Sequence, residues 1–362
     1  MSAGEPSGDL HAAPVVRALK ERMPDAVIEA FGGPEMAAAG ADVQWPMESY
    51  TVMGFAEIVT KIPAHARLLR QIKERFEAGR YDLVILVDYP GFHLRVAEAA
   101  RAARLPVLYY IAPQFWAWRP ERSRRFREVV DRFAVIFPFE ETFFRELELD
   151  ARFVGHPLGD RPPGPDQARA RETLGIGANE RVLGLFPGSR RQEVARHWEA
   201  FRDAATRLLT AGKVDRVVVA TVPGGEYPGI GRFQAIVDPA LVLAASDALI
   251  AKSGTTTLEA ALADTPMVVA YRVHRFTAWF ARMVIRVPWI SLPNLIANEA
   301  VVKELVQRDV TPAALAEAVE PLLDRSHPAT VAQRAGLAGV RELLGGPGAA
   351  GRVADLAIQL LR

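Results

Sequence analysis

Ser246-Asp-Ala-Leu-Ile-Ala-Lys-Ser-Gly-Thr-Thr-Thr-Leu-Glu259, followed closely by Met267-Val-Val-Ala-Tyr-Arg272, decides how the chain is read. Asp247 to Ala251 is a short apolar run, Gly254 offers a turn, and Leu258, Ala261 and Leu262 recur at helical spacing before Pro266 stops the segment. The order is therefore strand, tight turn, short helix, strand. A helix that starts straight after a glycine turn presents unpaired backbone N–H groups and the positive end of its dipole. Hydroxyls of Ser253, Thr255, Thr256 and Thr257 crowd the same spot, which suits a phosphate. Glu259 lies one turn further in, where a carboxylate could hold sugar hydroxyls. The competing reading is structural, with Thr256 as N-cap and Glu259 reaching back to it in a capping box.

Outward from this unit the same alternation repeats. Strand Val182 to Phe186 leads through Pro187-Gly-Ser-Arg-Arg-Gln-Glu193 into a long helix from about Arg191 to Leu209, then strand Arg216 to Ala220. A further strand is expected at Trp289 to Leu292, and helices at Ala313 to Leu323, Ala332 to Leu344 and Val353 to Leu361. Ser189 with Gln192 has capping-box spacing, which would start the helix at Ser189. Arg190 and Arg191 then fall in the first turn, against the dipole, where cations are disfavoured unless an anion sits there. Gly188, Ser189 and Arg190 thus form a second anion site beside Ser253-Gly254, as a nucleoside diphosphate needs. Two solvated arginines are the plain alternative.

The first half alternates too. A helix from Ser7, strand Ala26 to Phe31, helix Ala64 to Phe76 and the apolar run Tyr81-Asp-Leu-Val-Ile-Leu-Val-Asp88 precede three more strand and helix pairs, ending at strand Arg152 to Gly155. Strict alternation means doubly wound parallel sheets, hence an α/β protein of two Rossmann-like lobes facing a cleft. Gly155-His-Pro-Leu-Gly-Asp-Arg-Pro-Pro-Gly-Pro165 breaks both periodicities, so the boundaries fall at 1–156, a linker at 157–165, a second lobe at 166–345 and a last helix over 346–362 that could pack back on the first lobe. Asp88 ends the most hydrophobic strand of the first lobe, where a carboxylate could act as general base, or could merely cap the next helix. Glu5-Pro-Ser-Gly-Asp9 is a polar turn into a helix, either a substrate loop or a cap. His156 could face the cleft or bond to nearby backbone.

Composition narrows the partners. Half of the 362 residues are hydrophobic, enough for two cores, and a formal charge of +1 gives no global case for nucleic acid. With no cysteine, disulfides and thiolate metal sites are excluded. Seven histidines lack metal-type spacing and no Asp-x-Asp pair occurs, so no metal or cofactor is expected and a diphosphate would be held by arginine and helix ends. No apolar run reaches about 18 residues and no signal peptide stands at the start, which points to a cytosolic protein. The helix over 275–286, with Phe276, Trp279, Phe280, Arg275, Arg282 and Arg286, and the stretch from Phe115-Trp-Ala-Trp-Arg119 to Arg127 mix basic and aromatic residues as an anionic membrane surface requires, or are core with a wet edge.

A set of ordered motifs resembles the lipid-A-disaccharide synthase family: Ala3-Gly-Glu-Pro-Ser-Gly-Asp9, Val87-Asp-Tyr-Pro-Gly-Phe92, Pro113-Gln-Phe-Trp-Ala-Trp-Arg119, Phe153-Val-Gly-His-Pro157, Pro187-Gly-Ser-Arg190, Ser253-Gly-Thr-Thr-Thr-Leu-Glu259 and Ser291-Leu-Pro-Asn294. The resemblance spans nearly the whole chain. It implies a GT-B fold and transfer of diacylglucosamine from UDP to the 6-hydroxyl of diacylglucosamine 1-phosphate, with inversion, at the cytoplasmic face of the inner membrane. By motif, Asp88 resembles the essential carboxylate, with Glu5 and Ser7 beside it. Arg190 resembles the diphosphate contact and Glu259 with the Ser253-Gly254-Thr255 turn the nucleotide site, while Asp9, His156 and Asn294 fall in the cleft. Two departures stand out. The segment between Arg216 and Asp247 is shorter than is usual for the family, and the strand that should precede Ala3 is expected to be missing. A GT-B transferase with another glycolipid acceptor, or a non-catalytic nucleotide-sugar or glycolipid binder, are the alternatives; whether two copies form a homodimer is left open.

Overall fold

The computed structural model describes residues 1–50, 55–116, 123–273 and 288–362. These divide into two compact units, Met1–Asp160 with Leu344–Arg362, and Arg161–Leu343.

In the first unit seven parallel strands, β1 (Ser2–Ala3), β2 (Glu29–Gly32), β3 (Asp42–Pro46), β4 (Val84–Val87), β5 (Val107–Tyr110), β6 (Arg132–Val135) and β7 (Ala151–Phe153), stand in the order β3-β2-β1-β4-β5-β6-β7. Helices α1 (Pro6–Arg22), α2 (Pro34–Ala38), α3 (Phe55–Glu77), α4 (Pro90–Ala102), α5 (Ser123–Arg127) and α6 (Pro138–Glu146) connect them. Every residue of β4 and β5 is buried, which is why those strands are unbroken apolar runs. A two-residue strand stands where the sequence reading expects the first strand to be missing. Ser2 pairs with Phe31 on one side and Leu86 on the other, and Ala3 pairs with Val87, so two residues hold the centre of the sheet. Upstream of them, Phe31 N–H donates to Met1 O at 3.0 Å and the Met1 amino group donates to Glu29 O at 2.7 Å. The core is aromatic, with Phe31, Phe92, Tyr109, Phe126, Phe133 and Phe144 in contact across the sheet.

The second unit has six parallel strands, β8 (Val182–Phe186), β9 (Arg216–Ala220), β10 (Gln234–Ile236), β11 (Ala248–Lys252), β12 (Met267–Tyr271) and β13 (Lys303–Val306), ordered β10-β9-β8-β11-β12-β13. Its helices are α7 (Gln167–Leu174), α8 (Arg191–Thr210), α9 (Pro239–Ala245), α10 (Thr256–Leu262), α11 (Leu292–Ala297), α12 (Pro312–Val319) and α13 (Pro328–Leu343). Val194, Trp198, Phe201, Ala205 and Leu208 form the buried stripe of α8. The last helix, α14 (Ala349–Leu360), belongs to the first unit, where its Asp355 pairs with Arg22 of α1 at 2.7 Å and Arg352 donates to Val154 O.

Trp289 to Leu292 is not a strand. Ser291 is the N-cap of α11, Pro293 sits in its first turn, and the Glu304 carboxylate takes the N–H groups of Ile290 and Ser291, so neither can join a ladder. The edge strand next to β12 is β13 instead. Among the described residues, no helix is long and apolar enough to cross a membrane. The expected helix at 275–286, and Trp118, Arg119 and Arg122, lie outside the described residues.

Candidate active site

Both sheets reverse their strand order beside the first strand of the unit, between β1 and β4 in one and between β8 and β11 in the other. Loops leaving the carboxyl ends of such neighbours diverge and open a crevice. Four of the seven sequence motifs, those beginning at Ala3, Val87, Pro187 and Ser253, fall on these four loops.

In the first unit, β1 runs into Gly4-Glu5-Pro-Ser-Gly and α1, with Glu5 and Ser7 exposed. A side chain on Gly4 would place its Cβ 2.4 Å from the Tyr89 ring, so glycine is needed for close approach. The β4 strand runs into Asp88 and Tyr89, both left-handed with φ of +52° and +54°. Two successive non-glycine residues in that region are strained, a state found where the surroundings over-determine the backbone. Asp88 N–H donates to Tyr110 O at 3.0 Å, and Asp88 O accepts from the Tyr109 hydroxyl and from His93 Nδ1, each at 2.6 Å. The Ser2 hydroxyl donates to His93 Nε2 at 2.7 Å. A carbonyl on one nitrogen and a hydroxyl on the other fix the neutral ring with its proton on Nδ1. Burial pushes the His93 pKa down to about 3, so the ring stays neutral. The N-cap of α4 is Tyr89 and no side chain caps it, so Asp88 is not serving as a helix cap. Burial raises the Asp88 pKa, only partly offset by the Tyr89 N–H. A half-buried carboxylate made more basic by burial is suited to take a proton from a hydroxyl.

Asp9 does not join this group. It is buried, and its two oxygens accept the N–H groups of Gly33, Glu35 and Met36, capping α2. His156 is buried against the Phe137 ring, and its Nδ1 accepts the Leu158 N–H at 3.1 Å.

In the second unit the loop after β8 carries Gly188, Ser189 and Arg190. The capping-box expectation is corrected in detail: α8 starts at Arg191, with Arg190 as N-cap, and the reaching carboxylate is Glu193 rather than Gln192. Glu193 takes the Ser189 N–H at 3.0 Å and hydroxyl at 3.3 Å, and pairs with Lys252 Nζ, from the end of β11, at 2.8 Å. Burial pushes the Glu193 pKa up, but Lys252 and Ser189 outweigh it, so Glu193 stays below the usual carboxylate range. Gly188, at φ +146°, lies where a Cβ would come within 2.4 Å of Glu193 Cβ. Arg190 is exposed at the head of the helix, and among the described residues it forms no ion pair. Glu193 and Lys252 went unread in the sequence; placing the N-cap at Arg190 would have put Glu193 three residues on, at the position of a capping acid.

The loop after β11 holds Ser253, Gly254 and Thr255. Ser253 and Thr257 spend their hydroxyls on Ile290 O and Gly254 O, whereas Thr255 is exposed at the N-cap of α10. A Cβ on Gly254 would meet nothing nearer than Lys252 Nζ at 3.7 Å, so no protein atom demands glycine there. Glu259 does not reach back to Thr256; its carboxylate lies 3.2 Å from Arg161 Nη1. Asn294 is fully buried, exchanging hydrogen bonds with the backbone of Val302 and donating to Glu304, so it is part of the framework.

Comparison with known proteins agrees with this layout. The chain has the fold of a putative UDP-N-acetylglucosamine 2-epimerase from Listeria monocytogenes (TM-score 0.67, 14% identity, 97% of this chain and 93% of that one) and of MurG from Acinetobacter baumannii (TM-score 0.58, 16% identity, 99% and 98%). This is the two-sheet GT-B fold of glycosyltransferases. The lipid-A-disaccharide synthetase family matches residues 1–343. The lipid-A-disaccharide synthase of Myxococcus xanthus is 40% identical over 369 residues, covering 99% of this chain and 96% of its own length. That of Pseudomonas aeruginosa is 39% identical over 333 residues, covering 89% and 88%. Matched in this way along almost its entire length, the chain belongs to the lipid-A-disaccharide synthase family.

Proposed function

We propose that the chain transfers a 2,3-diacylglucosamine from UDP to the 6-hydroxyl of 2,3-diacylglucosamine 1-phosphate with inversion. The family membership supports the reaction, and the observation that carries the mechanism is Asp88: a half-buried carboxylate of raised pKa on a doubly left-handed backbone at the switch point of its sheet. Asp88 takes the proton from the acceptor hydroxyl as its oxygen attacks the anomeric carbon. The bond from that carbon to the diphosphate breaks, and UDP leaves. Arg190 and the N-terminal amides of α8 neutralise the departing diphosphate, while the loop over Ser253, Gly254 and Thr255 receives the nucleotide in the space that Gly254 leaves free. Glu259, steadied by Arg161, bonds sugar hydroxyls. Glu5 and Ser7 line the acceptor side with Asp88. No metal is called for, since arginine and helix ends carry the charge. Both substrates bear acyl chains, so the enzyme works against the cytoplasmic face of the inner membrane as a peripheral protein.

Calorimetric titration with UDP tests the donor site. A charged hydrogen bond contributes about 1.5–3 kcal/mol, so Arg190→Ala should weaken UDP binding by roughly 10- to 150-fold. Unchanged affinity would remove Arg190 from the site.

A further inference from the structure

We infer that His93 is a positioning residue for the reaction: buried in α4, it bridges Ser2 of β1 and the Asp88 carbonyl, and so sets the direction in which the Asp88 carboxylate points. The inference rests on the reading of Asp88 as base.

The Asp88 carbonyl belongs to the peptide plane shared with Tyr89, so anchoring it fixes ψ of Asp88 and φ of Tyr89. The bond from Asp88 N–H to Tyr110 O fixes the plane before it. With both planes held, the Cα–Cβ vector of Asp88 has one direction. Two donors hold the carbonyl, the Tyr109 hydroxyl and His93 Nδ1, both at 2.6 Å. Of the two, His93 alone reaches further: its Nε2 takes the Ser2 hydroxyl at 2.7 Å, tying the end of β4 to the strand beside it. The ring is fully buried, and the rings of Tyr89, Phe92 and Tyr109 lie within 5.7–6.1 Å. An aliphatic residue there would leave the Asp88 carbonyl with one donor and the buried Ser2 hydroxyl without its acceptor. A lysine or arginine would bury a charge. A neutral imidazole meets both needs at once. Left-handed geometry at two successive residues is unfavourable without such anchors, so the carboxylate would swing away from its place when they are removed.

The test compares His93→Leu, His93→Asn and Tyr109→Phe in the full-length protein. Steady-state turnover is one readout, and the titration of the Asp88 carboxyl carbon by NMR is another that needs no turnover. Misplacing a base by about 1 Å costs up to ~10²-fold, so His93→Leu should lower kcat between about 10- and 100-fold with KM for the UDP-sugar little changed. Its Asp88 pKa should drop toward the ordinary value as the side chain meets water. Asn places an N–H close to where Nδ1 donates, so His93→Asn should regain most of both. Tyr109→Phe, which spares the Ser2 link, should fall between. A wild-type Asp88 pKa in a folded His93→Leu protein overturns the inference. So does an equal kcat loss in His93→Leu and His93→Asn, which would mark a structural role only. Failure of the underlying reading looks different: Asp88→Asn would turn over normally while the Asp88 pKa still moved in His93→Leu.

Discussion

Replacing Asp88 by Asn separates a catalytic base from a structural aspartate. Asn has the same size, and its carbonyl oxygen can still accept from the Tyr89 N–H, so the backbone anchors at Tyr109, Tyr110 and His93 are untouched. What disappears is the ionisable group. A positioned base contributes about 10²–10⁴ in rate, so kcat should fall by that factor, equal to roughly 3–5 kcal/mol of barrier. Stability should move the other way. The folded pKa of Asp88 is raised by burial, so the native state binds this proton more tightly than the unfolded chain does. Its contribution to stability is therefore present at low pH and lost as pH rises through the folded value. Asn has nothing to ionise, and above that pH the variant should melt no lower than wild type. Acceptor-dependent UDP release, UDP titration and thermal melting at pH 7.5 form the assay. Turnover within tenfold of wild type in a folded variant would refute the base assignment. A lower melting point with parallel loss of UDP binding would make Asp88 a structural residue.

Two further outcomes follow from buried contacts of the first unit. Glu140 is fully buried, accepting from Trp116 Nε1 and from the N–H groups of Ile136 and Phe137, and burial pushes its pKa from 4.5 up to about 7. The stability it adds is present below pH 4.5 and lost as pH rises through 7, so between pH 4 and 8 the difference between Glu140→Gln and wild type should shift by about 3 kcal/mol in favour of the variant. Urea melts at the two pH values check this, and a pH-independent difference rules it out. Gly4→Ala would drive a methyl group within 2.4–2.9 Å of the Tyr89 ring, breaking the 2.8 Å contact of its hydroxyl with His65. A loss of about 1–3 kcal/mol in thermal melts together with reduced turnover is expected, and wild-type behaviour would show the loop free to move aside.

The interior of each sheet is legible in the sequence because both faces of a central parallel strand are covered. Val84-Ile-Leu-Val87, Val182-Leu-Gly-Leu-Phe186 and Ala248-Leu-Ile-Ala-Lys252 are therefore apolar runs that admit few other readings. Edge strands carry no such signal: β3, β10 and β13 are mostly half-buried or exposed. Trp289 to Leu292 misleads for the converse reason, since its apolar residues look strand-like while Glu304, far along the chain, captures its N–H groups. The site is legible as positions more than as roles. Asp88 and Arg190 stand on the expected loops and Glu259 one turn into the expected helix, but Asp9 and Asn294 are polar residues of similar motifs that turn out to be spent on the framework. Residue type does not tell a ligand from a cap. The left-handed pair at Asp88 and Tyr89, and the His93 bridge to Ser2 across 91 residues, leave no local trace, because the partners meet only once the sheet has formed.

Purified protein incubated with UDP-diacylglucosamine and diacylglucosamine 1-phosphate shows whether the chain joins the two sugars, with products resolved by mass spectrometry and the new linkage by NMR. The expected outcome is one disaccharide 1-phosphate per UDP released, joined at the acceptor 6-hydroxyl with inverted anomeric configuration, and neither product without acceptor. UDP release without disaccharide, a retained configuration, or recovery of an epimerised UDP-sugar would contradict it.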